Sequence, residues 1–494
     1  MNNLPKHLHV IGICGVATSA VAIAFHKKGV KVTGSDKGFF PPVSTELEKH
    51  GISFYAGWHP EKMIEHGTPD AIMVGTASGS QNPETLYAKE HGIPMYSYPE
   101  IIGMFFVKEH SIVCTGTWGK TSSSALLSHI LDHAGLDPTY MFGGVSLSHE
   151  SSARLSNSQW SVFEGDEYKS SPTDPRAKFF HYKPTHLMLT AVSWDHADLY
   201  PTEAEYFDAF KKLLALVPKT GLIVACKDHA GVMTLVNPSM NDNVVLYGSA
   251  ESSNMQANTS AASTKAEPLF YSYNNAAQTK NGLDLTINHS GASWNVHSPM
   301  LGLYQSENIA GCFAMAHQLG IAPAVIIEAI GTFKGLKRRM EKRLDGGVSG
   351  VTVIDDIAHS PEKAASVLKT IRSIYTGKIV AVFEPNIGGR QREALAKYAS
   401  AFKDADVVII PRLTKLKIAD SNKTGTDNSA AEQPLEGDVL AGIIAKTHPN
   451  TQYADNDEQL VEHLISSIQK GDVIVFLGSH GFRGMIEEVI RQAP

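Results

Sequence analysis

The stretch from Ser111 to Leu131 constrains the fold of this chain more than any other part of it. An apolar strand ends at Cys114 and runs into the sequence Gly-Thr-Trp-Gly-Lys-Thr at residues 116–121. An amphipathic helix follows. Glycines allow backbone N–H groups to approach phosphate oxygens, and the N-terminus of a helix favours negative charge. The pattern therefore predicts a phosphate-binding loop between a buried strand and a helix.

Lys120 and Thr121 give this loop its chemistry. In a phosphate loop the lysine reaches the β- and γ-phosphates, and the hydroxyl of the next residue coordinates Mg²⁺. A strict Walker A sequence would have glycine where Cys114 stands, so the match is to a shortened loop. The alternative is an ordinary strand–turn–helix with a surface lysine. The residues predicted to hold the nucleotide here are Gly116, Thr117, Gly119, Lys120, Thr121 and Ser122.

The composition indicates several globular domains. A chain of 494 residues suggests roughly three domains of about 150 residues each. The net charge of −7 argues against a nucleic-acid binder, and no apolar stretch is long enough to cross a membrane. Because the cysteines are scattered, with no Cys-x-x-Cys pair, a reduced cytoplasmic protein is favoured over a disulfide framework or a zinc site. The four cysteines are Cys14, Cys114, Cys226 and Cys312.

A nucleotide-binding βαβ unit is predicted at the start of the chain. A buried strand enters a turn with Gly12 and Gly15, and a helix then leads to a second strand that ends before Ser35 and Asp36. An acidic residue about 20 positions after a glycine turn is typical of dinucleotide folds. The spacing is not GxGxxG, however, so a turn that binds no ligand also fits. We expect this domain to end near Glu109.

Two acidic clusters follow strands of the central region. One strand ends in Glu-Gly-Asp-Glu at residues 164–167, and another in Asp-His-Ala-Asp at residues 195–198. Because open α/β sheets bind ligands at the carboxyl ends of their strands, both clusters should face the phosphate loop. Mg²⁺ prefers oxygen ligands and accepts an imidazole less readily. The alternative is that both clusters are solvated loop residues.

The last third of the chain alternates strands with helices, which predicts a third, mostly parallel sheet. Arg338 and Arg339 precede its first buried strand. Adjacent arginines are usually solvated, but an arginine offered from a separate domain also suits phosphoryl oxygens. The polar segments 249–281 and 419–437 indicate exposed loops or hairpin insertions and not core elements.

In this order, the motifs resemble those of the Mur ligase family, ATP-dependent amide-forming enzymes of peptidoglycan metabolism. The resemblance covers essentially the whole chain. It rests on Gly12-x-x-Gly15, Thr115-Gly116-Thr117-x-Gly119-Lys120-Thr121, Glu164-x-Asp166-Glu167, Asp195-His196-x-Asp198, Asn308, Arg338-Arg339 with Glu341, and Asp355-Asp356-x-Ala358-His359-x-Pro361. It implies an α/β protein of three domains: a Rossmann-like UDP-sugar domain at 1–109, a P-loop ATPase-like domain at 110–334 and a Rossmann-like amine-binding domain at 335–494.

The resemblance also implies a reaction. The γ-phosphoryl group of ATP would pass to the carboxylate of UDP-N-acetylmuramate, and an amine would then displace phosphate from the acyl phosphate. The C-terminal domain would close over ATP and shield the acyl phosphate from water. The implied catalytic residues are Lys120, Glu164, His196, Arg339 and His359, with Mg²⁺ on Thr121, Glu164 and His196. Asn308, Arg339 and Asp356 would also contact ATP. The implied substrate-binding residues are Gly12, Cys14, Gly15, Ser35, Asp36, Thr76, Glu167 and Arg390.

The amine is expected to be the tripeptide L-Ala-γ-D-Glu-meso-diaminopimelate, and L-alanine is the alternative. Glu167-Tyr168, the segment 174–182 and the sequence Phe-Glu-Pro-Asn at 383–386 are similar to the tripeptide-adding branch. Arg390 and Arg392 could meet its extra carboxylates. The chain departs from the family pattern at Trp118, Ser122, Ser123, Lys169, Thr190, Gln305 and Ser360.

Other classes of protein explain less of the sequence. A nicotinamide-dependent dehydrogenase would account for the first domain only, and a P-loop kinase or motor for the central domain only. A non-catalytic sensor of UDP-sugar and ATP would account for all the binding motifs. Hydrolysis of ATP that requires both UDP-N-acetylmuramate and an amine separates the ligase from all three. The sequence leaves monomer and dimer open.

Overall fold

The computed structural model of the chain contains three β-sheets flanked by helices. It describes residues 3–40, 43–75, 81–171, 174–196, 198–236, 243–254, 269–346, 350–386, 390–414 and 435–493. The chain divides into two compact units. One comprises Met1–Ala276, Asp284–Pro299 and Tyr304–Gly335, and the other comprises Ala277–Leu283, Met300–Leu303 and Leu336–Pro494. The predicted α/β class is confirmed, while the predicted limits of the three domains stay predictions.

The first sheet consists of five parallel strands. They are β1 (His7–Ile11), β2 (Lys31–Asp36), β3 (Ser53–Ala56), β4 (Ala71–Val74) and β5 (Met95–Ser97). Their order is β3-β2-β1-β4-β5, which puts the glycine turn at the end of the central strand. The helices are α1 (Val16–Lys27), α2 (Val43–Lys49), α3 (Pro60–Ile64), α4 (Pro83–Glu90) and α5 (Tyr98–Ile101), which continues as a π-helical turn at Ile102–Phe106.

The second sheet has ten strands. They are β6 (His110–Thr115), β7 (Thr139–Met141), β8 (Ala153–Arg154), β9 (Trp160–Gly165), β10 (His186–Leu189), β11 (Leu222–Cys226), β12 (Asn243–Ser249), β13 (Leu269–Thr279), β14 (Gly282–His289) and β15 (Ala292–Ser298). Their order is β15-β14-β13-β12-β11-β10-β6-β9-β7-β8. The helices are α6 (Lys120–His133), α7 (Glu203–Leu214), α8 (Ala230–Leu235), α9 (Gln305–Gln318) and α10 (Pro323–Thr332), with a 3₁₀ helix at Lys178–Tyr182.

The third sheet has six strands in the order β16-β17-β21-β18-β19-β20, and β16 is antiparallel to β17. They are β16 (Glu341–Gly346), β17 (Val351–Asp356), β18 (Ile379–Glu384), β19 (Val407–Pro411), β20 (Thr451–Ala454) and β21 (Val473–Gly478). The helices are α11 (Pro361–Ile374), α12 (Gly437–Ile444), α13 (Asp457–Ser467) and α14 (Met485–Gln492), with a 3₁₀ helix at Arg392–Ser400. Four of these strands, β17, β18, β19 and β21, match the strands that apolar runs of the sequence predict at 351–356, 379–383, 407–410 and 473–477.

The first two sheets share one hydrophobic core. Phe25 of α1 and Phe106 belong to the same buried cluster as Phe163 of β9 and Phe179. The rings of Phe25 and Phe106 lie 5.7 Å apart. Burying large aromatic side chains from both regions in one cluster stabilises each region against the other. The first predicted domain and the central one therefore fall within a single compact unit.

Two sequence-based expectations differ from the structure. The strand predicted to run into Asp195 ends at Leu189, because the Thr190 hydroxyl donates hydrogen bonds to the carbonyls of Thr115 and Trp118. The chain therefore turns across the phosphate loop. The polar segment 249–281 includes strand β13, which pairs with β12 and buries Tyr271. Alternating apolar residues in an otherwise polar stretch supply that buried face. Of the segment 419–437, residues up to 434 lie outside the described part.

None of the helices in the described part of the chain combines the length and the apolar character that crossing a lipid bilayer requires. The longest helices, α6, α9 and α11, have 14 residues each. A bilayer-spanning helix needs about 20 predominantly apolar residues.

Candidate active site

The phosphate loop lies between β6 and α6, as its sequence predicts. Gly116 and Gly119 have φ values of 137° and 83°, which favour glycine. A Cβ atom on Gly119 would lie 2.6 Å from Oδ1 of Asn308, and one on Gly116 would lie 2.3 Å from Oγ1 of Thr190. Both positions therefore require glycine for space as well as for conformation. Within the described residues, the N–H groups of residues 118–121 have no hydrogen-bond acceptor, as an anion-binding loop needs.

Lys120 is held over the loop by four hydrogen bonds. Its Nζ donates to the carbonyls of Gly116 and Thr117 at 2.7 and 3.4 Å. It also donates to both carboxylate oxygens of Glu167, at 3.0 and 2.8 Å. The Glu167 side chain is fully buried, so this ion pair is weakly screened by solvent. The loop therefore carries a fixed cation together with a buried carboxylate that balances its charge.

Thr121 and Glu164 form the pair expected at a Mg²⁺ site. The Thr121 hydroxyl donates to Oε1 of Glu164 at 2.8 Å, and the N–H of Gly143 donates to Oε2 at 2.6 Å. Burial raises the pKa of Glu164, and the Gly143 N–H, Lys120 and Thr121 partly oppose that rise. A hydroxyl and a carboxylate in contact at the edge of a phosphate loop are hard oxygen donors, which suit Mg²⁺. These two residues fit the cation.

His196 lies beside Glu167. Its Nε2 is 3.6 Å from Oε1 of Glu167, and its backbone has a left-handed φ of 55°. Glu167 is the main cause that raises the pKa of His196 above its ordinary value. The Tyr200 hydroxyl donates to the carbonyl of Glu167 at 2.6 Å, and that of Tyr206 donates to its carboxylate at 3.3 Å. Glu167 thus joins the lysine of the loop to His196.

The two tyrosines have no signal in the sequence analysis. Tyr200 lies before α7, and Tyr206 belongs to a helix with a capping box and an ordinary amphipathic pattern. The Tyr206 hydroxyl also lies 3.0 Å from that of Thr117, whose hydroxyl donates to the carbonyl of Ser193 at 2.9 Å. This network fixes the loop against the segment that carries His196. Thr190, which stands out in the sequence only as a departure from the family pattern, is likewise a loop-positioning residue.

The acidic strand end continues into a segment that folds back on itself. Lys178 donates to Oδ2 of Asp166 at 2.5 Å. Burial raises the pKa of Asp166, but the Lys178 ammonium outweighs burial and the net shift is downward. Asp174 accepts two bonds from the Arg176 guanidinium, at 2.9 and 2.8 Å, which lower the Asp174 pKa to about 2. The charges of Asp166 and Lys178, and those of Asp174 and Arg176, are thus paired within the segment.

Asn308 lies at the opposite side of the loop, on the first turn of α9. Its Oδ1 accepts a bond from Ser123 at 3.3 Å, and its Nδ2 donates to Gln305 at 2.9 Å. Ser122, the residue before Ser123 on α6, is half-buried. Helices α6 and α9 contact each other, which brings residues about 185 positions apart to one edge of the sheet. Asn308 is therefore next to the loop, and its expected contact with ATP stays a prediction.

The glycine turn of the first sheet is tied to β2. The N–H of Gly12 donates to the carbonyl of Ser35 at 2.8 Å, and that of Cys14 donates to Oδ2 of Asp36 at 2.8 Å. Gly15 precedes α1 in an extended conformation. The Ser35 hydroxyl is fully buried and donates to Oε2 of Glu84 at 2.5 Å. Asp36 and Ser35 thus have internal partners, and Thr76 lies outside the described residues.

Glu84 is a buried carboxylate that the sequence analysis misses. It accepts bonds from Ser35, from the Tyr55 hydroxyl at 2.6 Å and from the N–H of His59 at 2.8 Å. Burial raises the Glu84 pKa, but these donors and His9 outweigh it and the net shift is downward. Through Ser35, this hydrogen-bond network fixes the position of the end of β2. Nothing in its local sequence marks Glu84, since it lies near the start of a short helix.

The third sheet brings together the arginine and aspartate motifs of the last domain. The Arg338 guanidinium donates to the carbonyls of Gly478, Ser479 and His480 and to Asp355. Burial raises the Asp355 pKa to about 6, with Arg338 opposing it. Arg338 is therefore a structural residue of the strand end. Arg339 is exposed and has no side-chain hydrogen bond or ion pair within the described part of the chain.

Asp356 and His359 lie at the end of β17. Asp356 accepts the N–H groups of Met340 and Ala358, both at 2.7 Å, and burial raises its pKa. Burial also lowers the pKa of His359, whose Nδ1 lies 2.6 Å from the carbonyl of Ile357. Both residues are thus fixed by backbone groups of their own unit. Their predicted role at the nucleotide, and that of Arg339, stays a prediction.

Arg390 has an internal partner. Its guanidinium is nearly buried and donates to the carbonyl of Leu435 at 2.8 Å. The side chain of Arg392 is outside the described part. The arginine that faces Glu384 is Arg483, which donates to that carboxylate at 3.0 Å and holds Asp457 with two bonds. The sequence analysis misses Arg483, which follows β21 in a left-handed conformation.

Comparisons with known proteins agree with this geometry. The model described as "Mur ligase family, catalytic domain" matches residues 7–109, "Mur ligase middle domain" matches 114–316, and "Mur ligase, glutamate ligase domain" matches 338–480. A UDP-N-acetylmuramate–L-alanine ligase from Paramagnetospirillum magneticum is 30% identical over 476 residues, which cover 96% of this chain and 92% of the relative.

Solved structures show the same fold. The UDP-N-acetylmuramate–alanine ligase of Thermotoga maritima superposes with a TM-score of 0.77 at 22% identity and covers 99% of both chains. A murein peptide ligase from Psychrobacter arcticus superposes with a TM-score of 0.66, also at 22% identity, over 99% of this chain and 98% of its own.

Proposed function

The chain belongs to the Mur ligase family, and on that premise we propose its substrates and the roles of its residues. It is an ATP-dependent, amide-bond-forming ligase of peptidoglycan synthesis. Mur ligases generally use ATP and Mg²⁺. We propose that this enzyme joins the carboxylate of UDP-N-acetylmuramate to the amino group of L-alanine and releases ADP and phosphate. A cytoplasmic location stays a prediction.

The observation that carries the choice of L-alanine is the similarity over the whole chain to ligases of that name. It favours the alternative of the sequence analysis over the tripeptide. The two arginines predicted to meet the carboxylates of a tripeptide do not support the tripeptide as substrate. Arg390 already donates to the carbonyl of Leu435, and the Arg392 side chain is outside the described part.

The tripeptide remains a second candidate because of one stretch. Residues 174–182 follow Glu167 and Tyr168 in a sequence similar to the tripeptide-adding branch, and Lys178 ties that stretch to Asp166 beside the phosphate loop. A segment so close to the reacting groups can select the amine. A murein peptide ligase of Neisseria meningitides is 26% identical and covers 68% of this chain.

Lys120 would serve phosphoryl transfer by stabilising negative charge. Its ammonium is preorganised over the loop by the carbonyls of Gly116 and Thr117 and by Glu167. A charge that is fixed before the reaction needs no reorganisation in the transition state, and such groups supply much of the catalysis in phosphoryl transfer. When a nucleotide phosphate arrives, Lys120 would share its donors between Glu167 and the phosphate oxygens.

Thr121 and Glu164 would hold Mg²⁺, which supplies charge neutralisation on the phosphates when it is bound. Their contact of 2.8 Å and the acceptor role of Glu164 toward Gly143 keep both donors in place. His196 would act beside Glu167, where it can ligate a second cation or contact the muramate carboxylate. The backbone N–H groups of Trp118 and Gly119 would donate hydrogen bonds to the phosphate oxygens.

The test is phosphate release from the full chain with ATP, Mg²⁺ and UDP-N-acetylmuramate, offered L-alanine or the tripeptide in parallel. We expect release that requires both UDP-N-acetylmuramate and an amine, with a higher kcat/KM for L-alanine. A higher kcat/KM for the tripeptide would replace the first candidate by the second. Binding of both nucleotides without any amine-dependent turnover would instead establish the non-catalytic sensor.

A further inference from the structure

A second cluster of potential ligands lies on the same sheet, outside the residues used above. Cys226 ends β11, His229 lies three positions later before α8, and Glu307 is in the first turn of α9. Their ligand atoms all lie within 4.8 Å of one another, and within the described residues no other group of three histidines, cysteines or acids does so. Nε2 of His229 is 2.8 Å from Oε2 of Glu307. The ligase reaction as proposed assigns no role to any of them.

We propose that Cys226, His229 and Glu307 bind a divalent metal of the zinc class. A thiolate, an imidazole and a carboxylate together are typical zinc ligands, whereas Mg²⁺ disfavours sulfur. The sequence alone does not indicate such a site, because the cysteines are scattered. In addition, Cys226 and Glu307 are far apart along the chain. Helix α9 contacts both β11 and β12 and closes that separation.

The close packing of α9 on the sheet explains the placement of Glu307. A Cβ atom on Gly311 would lie 2.2 Å from Cε of Met188 and 2.7 Å from Cζ of Tyr247. Glycine at this position lets the helix approach β10 and β12, so the first turn of α9 reaches the end of β11. The thiol of Cys226 and the carboxylate of Glu307 are therefore neighbours because of backbone packing, which fixes the spacing of the site.

The geometry suits a three-coordinate protein site with an open fourth position. Ligand atoms on a tetrahedral zinc ion lie about 3.3–3.8 Å apart, given bond lengths of about 2.0–2.3 Å. To bind the ion, the side chains of His229 and Glu307 would rotate from their contact of 2.8 Å and exchange their hydrogen bond for two metal bonds. Cys226 is fully buried, but the side chains of His229 and Glu307 keep 23% and 16% exposure, which leaves a route for the ion.

Binding of the metal would release a proton. The S–H bond of Cys226 breaks, a sulfur–metal bond forms, and the proton leaves to the solvent. A thiol with the ordinary pKa of about 8.5 is protonated at neutral pH, so Cys226 carries that proton before the ion arrives. The imidazole of His229 and the carboxylate of Glu307 supply the other two ligands.

The site adjoins the phosphate loop through one contact. The ring of Trp118, an exposed residue of the loop, lies 5.4 Å from the imidazole of His229 at an interplanar angle of 77°. A metal bound to His229 would fix that imidazole and with it the orientation of the indole. The coupling to nucleotide binding rests on the proposed function, whereas the metal site itself does not.

The experiment is a calorimetric titration of the full chain with Zn²⁺ after removal of metals by EDTA, in excess Mg²⁺ to occupy oxygen sites. We expect one equivalent of Zn²⁺ to bind with release of a proton. Cys226→Ser and His229→Gln should each weaken zinc binding at least about tenfold. Loss of a residue that only supports a metal ligand already weakens affinity by about that factor. Titration with Co²⁺ should give a thiolate charge-transfer band that Cys226→Ser removes.

Cys312→Ser is the matched control, because Cys312 is equally buried on α9 but outside the cluster. It should keep the zinc equivalent and the cobalt band. Absence of a stoichiometric zinc site, or equal loss in Cys312→Ser and Cys226→Ser, would overturn the proposal. If circular dichroism shows that Cys226→Ser does not fold, Glu307→Gln tests the site instead. Full zinc affinity in that near-isosteric variant would contradict the proposed site.

The coupling to the loop has its own measurement. Zinc should change the tryptophan emission of the parent chain and leave that of Trp118→Phe unchanged. A zinc-induced change that persists in Trp118→Phe would overturn the coupling and leave the metal site in place. Because no ligase assay enters either measurement, failure of the proposed function and failure of the metal site are distinguishable.

Discussion

The glycine turn at residues 12–15 and the phosphate loop at residues 116–119 follow strands β1 and β6 in the same way, and each leads into a helix. Gly12 and Gly119 even share nearly the same backbone angle, with φ of 82° and 83°. In the first turn, Ser35 and Asp36 accept the N–H groups of Gly12 and Cys14. In the second, the N–H groups of residues 118–121 have no acceptor within the described part.

The difference teaches that a glycine turn does not by itself make an anion site. The first turn is closed by a carboxylate of the neighbouring strand, and its helix begins with apolar residues. The second carries Lys120 and Thr121 on its helix and faces Glu164 and Glu167 from β9 and the residues after it. The second turn thus differs from the first in the charged groups that neighbouring strands place beside it, and we propose that these charges make it the phosphate site.

The most severe test of this comparison is Lys120→Ala. Removing the preorganised cation should reduce kcat by at least about 10²–10³-fold, as for a deleted oxyanion donor, while circular dichroism stays unchanged. Phosphate release measures the effect. Lys212→Ala is the control, because Lys212 pairs with Asp208 on the exposed face of α7 and should keep full activity. A Lys120→Ala enzyme with more than about a tenth of the parent kcat would show that the loop is not the phosphate site.

The next largest effect is expected for the cation ligands. Glu164→Gln keeps the shape of the side chain but removes a charge from a hard-cation site, and His196→Ala removes an imidazole beside Glu167. We expect each change to slow ligation and to raise the Mg²⁺ concentration for half-maximal rate at least about tenfold. The control is Glu203→Gln, an exposed residue of α7. The same Mg²⁺ dependence in all three variants and the parent would mean that the acidic clusters at 164–167 and 195–198 are solvated loop residues that do not bind Mg²⁺.

A smaller effect concerns the protonation of His196. Because Glu167 raises the His196 pKa, the imidazole stays charged to a higher pH than the ordinary value of about 6.5. The His196–Glu167 attraction is fully present below that ordinary value and is lost as pH rises through the raised pKa. Glu167→Gln should therefore lower the His196 pKa.

An NMR titration of the imidazole, assigned with His196→Gln, measures this shift without any activity assay. Glu203→Gln should leave the His196 pKa where it is. A His196 pKa that is unchanged or higher in Glu167→Gln would mean that the carboxylate of Glu167 does not act on His196. The charge of Glu167 would then be balanced by Lys120.

The smallest effect is expected in the first turn. Asp36→Asn loses one acceptor for the N–H groups of Cys14 and Lys37, which costs about 0.5–1.5 kcal/mol. We expect KM for UDP-N-acetylmuramate to rise roughly three- to tenfold, with little change in kcat. Asp70→Asn is the control, since Asp70 accepts the N–H of His7 at the other end of β1. A large loss of kcat in Asp36→Asn would contradict the contrast between the two turns.

The same contrast predicts the choice of nucleotide. The turn lacks the third glycine of dinucleotide folds, so the chain should show no saturable binding of NADH by fluorescence. Micromolar NADH binding would favour a dehydrogenase-like first domain. Binding of UDP-N-acetylmuramate measured in the same way should be saturable and should survive Lys120→Ala.

Much of the fold is predictable from the sequence because it depends on short patterns. Apolar runs predict four of the six strands of the third sheet to within a residue, and the glycine spacing predicts the loop before α6. Residues 190–196 are the counterexample, because Thr190 turns the chain across the loop. The Thr190 hydroxyl donates to carbonyls of residues that are far from it in the sequence. The end of β10 therefore depends on its contact with β6 and the phosphate loop, which the local sequence does not reveal.

The sequence by itself determined the glycine loop between β6 and α6, the acidic cluster at the end of β9 and the family, since each is carried by residues close together in the chain or by their order. Only the tertiary structure decided which charges meet. Glu167 joins Lys120 to His196, Arg390 is held by a carbonyl, and Cys226, His229 and Glu307 converge because α9 packs on the sheet. Contacts between distant segments depend on how whole elements pack, which local residue preferences do not encode.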